Sequence, residues 1–356
     1  MMKEYLSFLR YCLDASMLLP ESTNKIDWKV MMTWAEKQAI VGVIFSGIER
    51  AGNVLSIPFD TLMEWIGYAR QIELRNSLVN IKCVDVVDEL KEKEYECLIL
   101  KGQGNAMMYL APMRRTPGDI DVWVVNVKRN KLRQYVVSNQ AVLGYHYEHI
   151  EYEEGGVPIE VHFMPGVMNN PIYNRRLQAF CRKMANEERV MVELPDGVGS
   201  IPIPTVEFNI VFQLAHMMHH FFDEGIGLRQ MIDYYFLLKA RNNDVRCKME
   251  DVRDTLKYLN LYNFAGAVMY IMKEVLGLDE KYLIVPVDER RGKTLLNEIL
   301  KGGNFGHHSG LAQNNAAKKY FQKTWRNMQL VKEYPSEALC EPFFRTWHYF
   351  WRMTHC

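Results

Sequence analysis

An α+β fold, with a mixed β-sheet core flanked by an N-terminal and a C-terminal helical unit, is predicted for this chain of 356 residues by three observations. From residue 2 to about residue 95 the apolar residues recur at helical spacing. At Cys97 the pattern changes to short apolar runs closed by glycine or proline. From Thr205 the helical period returns and holds through most of the remaining chain. The expected units are therefore 1–95, 96–204 and 205–356, which fits the usual domain size of roughly 100–200 residues.

In the front unit, Leu6, Leu9 and Leu13 mark one amphipathic helix, and Leu62, Trp65, Ile66 and Ala69 mark a longer one. Asp60 after Pro58 is placed to cap that second helix, and no glycine or proline follows Gly67 before Glu96. In the middle unit, CLILKG and PGDIDVWVV read as strands around a helix-compatible QGNAMMYLA. Residues 128–141 suit a helix over the sheet, and YHYEHIEYEEGGVPIEVHF reads as a hairpin turning at Glu153-Glu154-Gly155-Gly156. RVMVEL and SIPIP, separated by Pro195-Asp196-Gly197, read as a further strand pair. Thr205 is a natural N-cap for FNIVFQLAHMMHHFF, after which LRQMIDYYFLLKA and LKYLNLYNFAGAVMYIMKEV continue the helical unit.

Composition excludes several function classes. A chain that is 48% hydrophobic and 24% charged is globular rather than disordered. Its 43 basic and 43 acidic residues cancel, so no global field recruits nucleic acid or an acidic membrane, and an anionic ligand has to be held locally. Seven cysteines, at 12, 83, 97, 181, 247, 340 and 356, show no CxxC spacing and fit free thiols in a reducing compartment, with the cytoplasm as the expected location. Glu4, Arg10 and Asp14 interrupt the apolar N-terminal stretch, which reads as an amphipathic helix rather than a signal, and no run of apolar residues reaches the length of a membrane span.

The chemistry is concentrated in the middle unit. Side chains alternate along a strand, so Asp119 and Asp121 project from one face, with Cα atoms roughly 6–7 Å apart, while Ile120, Val122 and Val124 face the other way. Like charges this close repel unless a cation lies between them, which favours a divalent ion, Mg²⁺ with Mn²⁺ as the alternative. In Pro158-Ile159-Glu160-Val161-His162-Phe163 the alternation repeats, and Glu160 offers a third carboxylate. Three carboxylates, a Lys101-Gly102 turn before a helix start and a nearby cation are the parts of metal-assisted phosphoryl or nucleotidyl transfer by two ions roughly 3.5–4 Å apart.

This order of LKG, Arg115, GDIDVWV and IEVHF resembles the DNA polymerase beta-like nucleotidyltransferase superfamily, and within it a little-characterised bacterial nucleotidyltransferase branch. The likeness spans roughly residues 85–240. It implies a nucleotidyltransferase-like core, with Gly102 as the strand-end glycine and Asp119, Asp121 and Glu160 as catalytic metal ligands. Lys101 and Arg115 match the branch pattern for contacts to the triphosphate, and its histidine helix followed by Leu-Arg and an aspartate falls on His216, His220, Arg229 and Asp233. Gln103 stands where many superfamily members carry a phosphate-binding serine.

Other features weigh less. His216 and His220 share a helix face and, with His219 and Asp223, hold candidate zinc donors, yet no HExxH glutamate follows His216, so polar residues lining a cleft are the simpler reading. Arg229 and Asp233 stand at i, i+4 spacing and suit a structural ion pair equally well. Phe343, Trp347, Phe350 and Trp351 form a helical stripe that reads as core or interface packing rather than as a membrane or single-strand binding surface. The Met107-Met108 pair reads as core filling, and Gly302, Gly303, Gly306 and Gly310 form a loop without the lysine and serine of a phosphate-binding P-loop. The expected function is transfer of a nucleoside monophosphate from a nucleoside triphosphate to an acceptor, which the residues leave open among a small hydroxylated molecule, a sugar phosphate, a protein side chain and an RNA end. The alternative is a catalytically inactive nucleotide-binding or regulatory module of the same fold.

Overall fold

A computed structural model describes residues 2–187, 189–241, 247–304 and 316–355 of the chain. Gly306, Gly310 and Cys356 lie outside the described residues. Four helices open the chain: α1 (Met2–Leu13), α2 (Trp28–Lys37), α3 (Val41–Ala51) and α4 (Phe59–Glu92). The 34 residues of α4 run unbroken for about 50 Å. It begins at Phe59 with Pro58 in the N-cap position, so Asp60 sits inside the first turn and favours the helix dipole instead of capping it.

Next come β1 (Cys97–Leu100), α5 (Gly102–Ala106), β2 (Ile120–Val124), α6 (Arg129–Asn139), β3 (Val142–Tyr145), β4 (His149–Glu154) and β5 (Val157–His162). The strands form one mixed sheet in the order β1-β2-β5-β4-β3, antiparallel throughout except for the parallel pair β2–β5. Gly155 and Gly156, at φ 58° and 78°, make the two-residue turn between β4 and β5, a backbone that side-chain-bearing residues resist. A helix that the sequence pattern did not signal, α7 (Pro171–Met184), follows, with Asn170 capping it through bonds from the Ile172 and Tyr173 amides. The expected strand pair is present as β6 (Val190–Glu193) and β7 (Ser200–Ile203), in a sheet of their own.

The rest is helical: α8 (Val206–Asp223), α9 (Leu228–Arg241), α10 (Met249–Tyr258), α11 (Tyr262–Tyr270), α12 (Glu289–Gly302), α13 (Ala316–Gln329) and α14 (Pro335–His355). Thr205 caps α8 by accepting a bond from the Phe208 amide at 3.3 Å. A single wide turn, Ile271–Val275, prolongs α11. No helix among the described residues is long and apolar enough to cross a membrane, and the six described cysteines carry free thiols.

Alternation along the strands divides the sheet into two unlike faces. Ile99, Ile120, Val122, Ile159, Val161 and Ile150 pack with Val79, Cys83, Val86 and Leu90 of α4 and with Leu132 and Val136 of α6. On the opposite face Leu98, Leu100, Trp123 and Val125 join the large cluster that runs through α1–α3 and the C-terminal helices. Phe208 of α8 stacks on Trp123 with ring centroids 5.5 Å apart, which fixes α8 across this second face. The polar residues of β2 and β5 open on the same side.

Of the two packing roles expected for the aromatic stripe of α14, the core one does not hold. Phe343, Trp347 and Phe350 are exposed, and only Trp351 is half-buried, against Tyr145 and Tyr147. The inward stripe is set one position round the helix, through the buried Ala338 and Glu341 to Phe344 and His348, because Glu337 accepts bonds from the Asn169 and Asn170 amides and Glu341 accepts one from Asn327. Those anchors set the rotation that apolar spacing alone does not specify.

Candidate functional site

The site is built on the end of β1. Lys101 adopts φ 51°, ψ −127°, and Gly102 follows at φ 37°. Such a backbone is natural to glycine and costs a lysine on the order of 1–3 kcal/mol. The turn aims the Lys101 side chain back over the sheet, where Nζ lies 3.0 Å from Asp121 Oδ1 and 3.1 Å from His216 Nε2. Burial works to lower the Lys101 pKa, and the carboxylates of Asp121, Asp119 and Glu160 more than reverse it. His216 is driven the other way, well below its ordinary value, by burial and by the Lys101 charge, so it receives the bond as a neutral imidazole.

Parallel pairing sets Asp121 beside Glu160, and Asp119 lies two residues upstream on the same face. The three carboxylates offer oxygens that all fall within 4.8 Å of one another. Asp121 is buried; burial favours its neutral form, but Lys101 and His162 hold it well below the usual carboxylate range. Glu160 is likewise lowered, burial being outweighed chiefly by the hydrogen bond from His162. His162 Nε2 stands 3.0 Å from Asp121 Oδ1 and 3.2 Å from Glu160 Oε2, and the two carboxylates raise its pKa to about 10 against the pull of burial. Asp119 is exposed by area yet walled closely enough that desolvation, with repulsion from Asp121 and Glu160, raises its carboxyl to about 6.

A narrow groove, open to solvent, runs beside these groups. Lys101, Gly102, Asp119, Asp121, Arg115, His216 and Arg229 line it. Gln213, His216 and Met217 reach it from α8, being three or four residues apart and so on one side of the helix. Glu160 lies outside the groove lining, next to Asp121. His220 sits one turn beyond His216, with Nδ1 3.6 Å from Glu224, and among the described residues neither joins a group of three metal-binding side chains. Asp223 pairs with Lys323 of α13, and the half-buried His219 packs edge-on against Phe344.

Gln103 is a correction to the expected phosphate contacts. Its side chain is 3% exposed and turned into α4, where Nε2 donates to Asn76 Oδ1 at 3.2 Å and to Asn80. A buried amide needs partners, and α4 supplies them on the side away from the groove. Arg115 lines the groove, but its guanidinium is committed: Nε and Nη2 donate to the two Asp233 oxygens at 2.7 and 2.8 Å. Asp233 also accepts from the Tyr109 hydroxyl at 2.6 Å, while Arg229 Nη1 donates to the Thr116 carbonyl at 3.3 Å. Sequence reading missed Tyr109 and the reciprocal Asn105–Gln213 amide pair, at 3.2 and 3.0 Å, that ties α5 to α8. Their only signal was a run of polar residues in apolar helices, which spacing does not resolve into partners.

The arrangement unites acidic donors and fixed cations in one opening, which suits a polyanion with divalent ions. Residues 24–277 match the sequence profile of a family described as uncharacterised nucleotidyltransferase. No curated protein matches the chain. Among solved structures it is similar to an antigenic nucleotidyltransferase-like protein from Paracoccidioides brasiliensis, with 12% identity and a TM-score of 0.34 over 56% of this chain and 91% of that one.

Proposed function

The chain belongs to the uncharacterised nucleotidyltransferase family, and on that premise we propose that it moves a nucleoside monophosphate from a nucleoside triphosphate to a hydroxyl-bearing acceptor. The observation that carries this reading is the convergence of Asp119, Asp121 and Glu160, within 4.8 Å, beside a groove walled by Lys101 and Arg229. Three carboxylates, with Asp119 raised by burial and by repulsion from the other two, form an all-oxygen donor set that fits Mg²⁺, with Mn²⁺ as the alternative. Bound there, the ions would polarise the phosphates and stabilise charge on the attacking and departing oxygens.

The chain's own residues do the rest. Lys101, held by Asp121 and His216, and Arg229, held at Thr116, face the groove as fixed cations for phosphate oxygens, with no reorganisation needed at the moment of reaction. Arg115, locked to Asp233, fixes the turn that leads into β2 and keeps Asp119 in register. The acceptor oxygen displaces pyrophosphate from the α-phosphorus, and its proton passes to Asp119, the carboxylate most open to the groove. Glu160 serves as a ligand, because the hydrogen bond from His162 holds it next to Asp121.

The test is nucleotide turnover with Mg²⁺ in Asp119→Asn. Asp119 is exposed, so the variant keeps its fold, and turnover should drop by at least about 100-fold; unchanged turnover would exclude the site. One observation favours the inactive-module alternative: Lys101 and His162 already compensate Asp121 without an ion. Calorimetry with each nucleoside triphosphate separates the two, since Mg²⁺-independent binding without turnover supports the module.

A further inference from the structure

The strand pairing that places Glu160 beside Asp121 also places two histidines against it. In the antiparallel pair β4–β5, His149 is directly opposite His162, and Glu160 stands two residues before His162 on the same face. His149 Nδ1 lies 3.5 Å from Glu160 Oε2, and His162 Nε2 lies 3.2 Å from the same oxygen. The three donor atoms all fall within 4.8 Å of one another.

We propose that His149, Glu160 and His162 form a second cation site, distinct in its chemistry from the all-carboxylate set, that takes a borderline transition-metal ion of the Zn²⁺ class. It goes beyond the transferase reading and shares only Glu160 with it. Three arguments support it. First, a tetrahedral ion with bonds of about 2.0–2.1 Å has donor-to-donor edges near 3.3 Å, which the two distances to Glu160, 3.2 and 3.5 Å, bracket.

Second, both rings present the right nitrogen. His162 Nδ1 is 3.3 Å from the Met164 carbonyl and donates to it, which directs Nε2 to the carboxylates, so a bound ion takes the place of the Nε2 proton now shared with Asp121 and Glu160 and that proton leaves to solvent. His149 Nδ1 is buried, makes no hydrogen bond, and faces Glu160. A buried ring nitrogen without a bond is costly in a protein interior, and an ion satisfies it. Third, the donor types decide the ion. Two imidazoles and one carboxylate favour Zn²⁺ over Mg²⁺, which prefers oxygen ligands and keeps its waters. Three protein donors leave a fourth position for water, with the carboxylate of Asp121 alongside.

The experiment uses the full chain, stripped of metal, and Zn²⁺ as the probe. Competition against a chromophoric chelator should give one Zn²⁺ per chain, bound about 100-fold more weakly by His149→Ala and within a few-fold of wild type by Asp119→Asn. Equal Zn²⁺ affinity in wild type and His149→Ala overturns the proposal, and so does loss confined to Asp119→Asn, which would put the ion among the carboxylates. Should His149→Ala fold poorly, wild-type crystals soaked in Zn²⁺ decide. An anomalous peak bonded to His149 Nδ1 and His162 Nε2 supports the site, and a peak touching only Asp119 and Asp121 or a cysteine overturns it. Because nucleotide turnover is read through Asp119 and Zn²⁺ through His149, failure of either idea leaves the other standing.

Discussion

The Arg115–Asp233 pair should be the most sensitive polar contact in the protein. Both side chains are almost fully buried, at 5% and 8% exposure, and their bonds of 2.7 and 2.8 Å are bidentate. Burial alone would raise the Asp233 pKa, and Arg115 more than reverses it. Replacing Asp233 by alanine strands a buried guanidinium, at about 3–5 kcal/mol. It also takes the acceptor from the Tyr109 hydroxyl, at about 1 kcal/mol more. The total of about 4–6 kcal/mol is a large part of the roughly 5–15 kcal/mol that stabilises a folded protein. At about 2 °C per kcal/mol for a chain of this size, Asp233→Ala should melt about 10 °C below wild type by circular dichroism. Asp233→Asn should fall less, because one amide oxygen can still accept. The double variant Arg115→Met with Asp233→Leu removes both charges together and should recover most of the loss. A shift below about 2 °C in Asp233→Ala, or a double variant no more stable than Asp233→Ala, would refute the assignment of this pair as a buried, mutually dependent unit.

Two further perturbations probe the carboxylates and the turn before β2. Asp119 is raised from 3.8 to about 6 in the folded chain, so between those values the folded state holds more protons than the unfolded one, and stability falls as pH rises through the window. Asp119→Asn should therefore melt higher than wild type above about pH 7 and lose that advantage below about pH 4, as thermal scans at the two ends would show. At Gly42 of α3 an added Cβ would lie 2.1 Å from the Arg114 carbonyl oxygen, a backbone atom that must move. Gly42→Ala should cost about 1–3 kcal/mol and weaken nucleotide binding by shifting the Arg115 turn. Gly67→Ala in α4, with nothing within 4 Å of its Cβ, serves as the control and should be neutral or slightly stabilising in chemical denaturation.

Period-two patterns carried the core of the fold and the carboxylates. The glycine pair at 155–156, the alternation in GDIDVWV and IEVHF, and the cap at Thr205 are local signals, and each reappears as geometry. What the spacing could not supply was partnership. Asp233 was placed four residues from Arg229, a helical neighbour, yet its bidentate partner is Arg115, 118 positions away. Gln103 follows Gly102 of the turn after β1, yet buries its amide against Asn76 and Asn80 of α4. The helix α7 lacks a marked apolar stripe, with only Leu177 and Cys181 buried, and so left little pattern to read. The stripe on α14 lies outside the core for a related reason: buried carboxylates, not aromatic rings, set the rotation of that helix.

The charges around the groove give a last consequence. Asp119, Asp121 and Glu160 are opposed by Lys101, His162 and Arg229, while His149 and His216 are held neutral, His149 near 3 by burial and by the His162 charge. The site is thus close to balanced before any ligand arrives. A lone Mg²⁺ must displace the cations that already hold Asp121, and a lone triphosphate brings negative charge toward three carboxylates. Taken together, two divalent ions and a triphosphate are nearly neutral and disturb that balance least. Calorimetry should therefore show weak binding of Mg²⁺ alone and of nucleotide alone, and a tenfold or greater gain when each is titrated in the presence of the other, equal in both orders by linkage. Additive binding, with neither ligand tightening the other, would show that the carboxylates and the groove cations Lys101 and Arg229 do not act on one ligand, and would leave the groove without the function proposed for it.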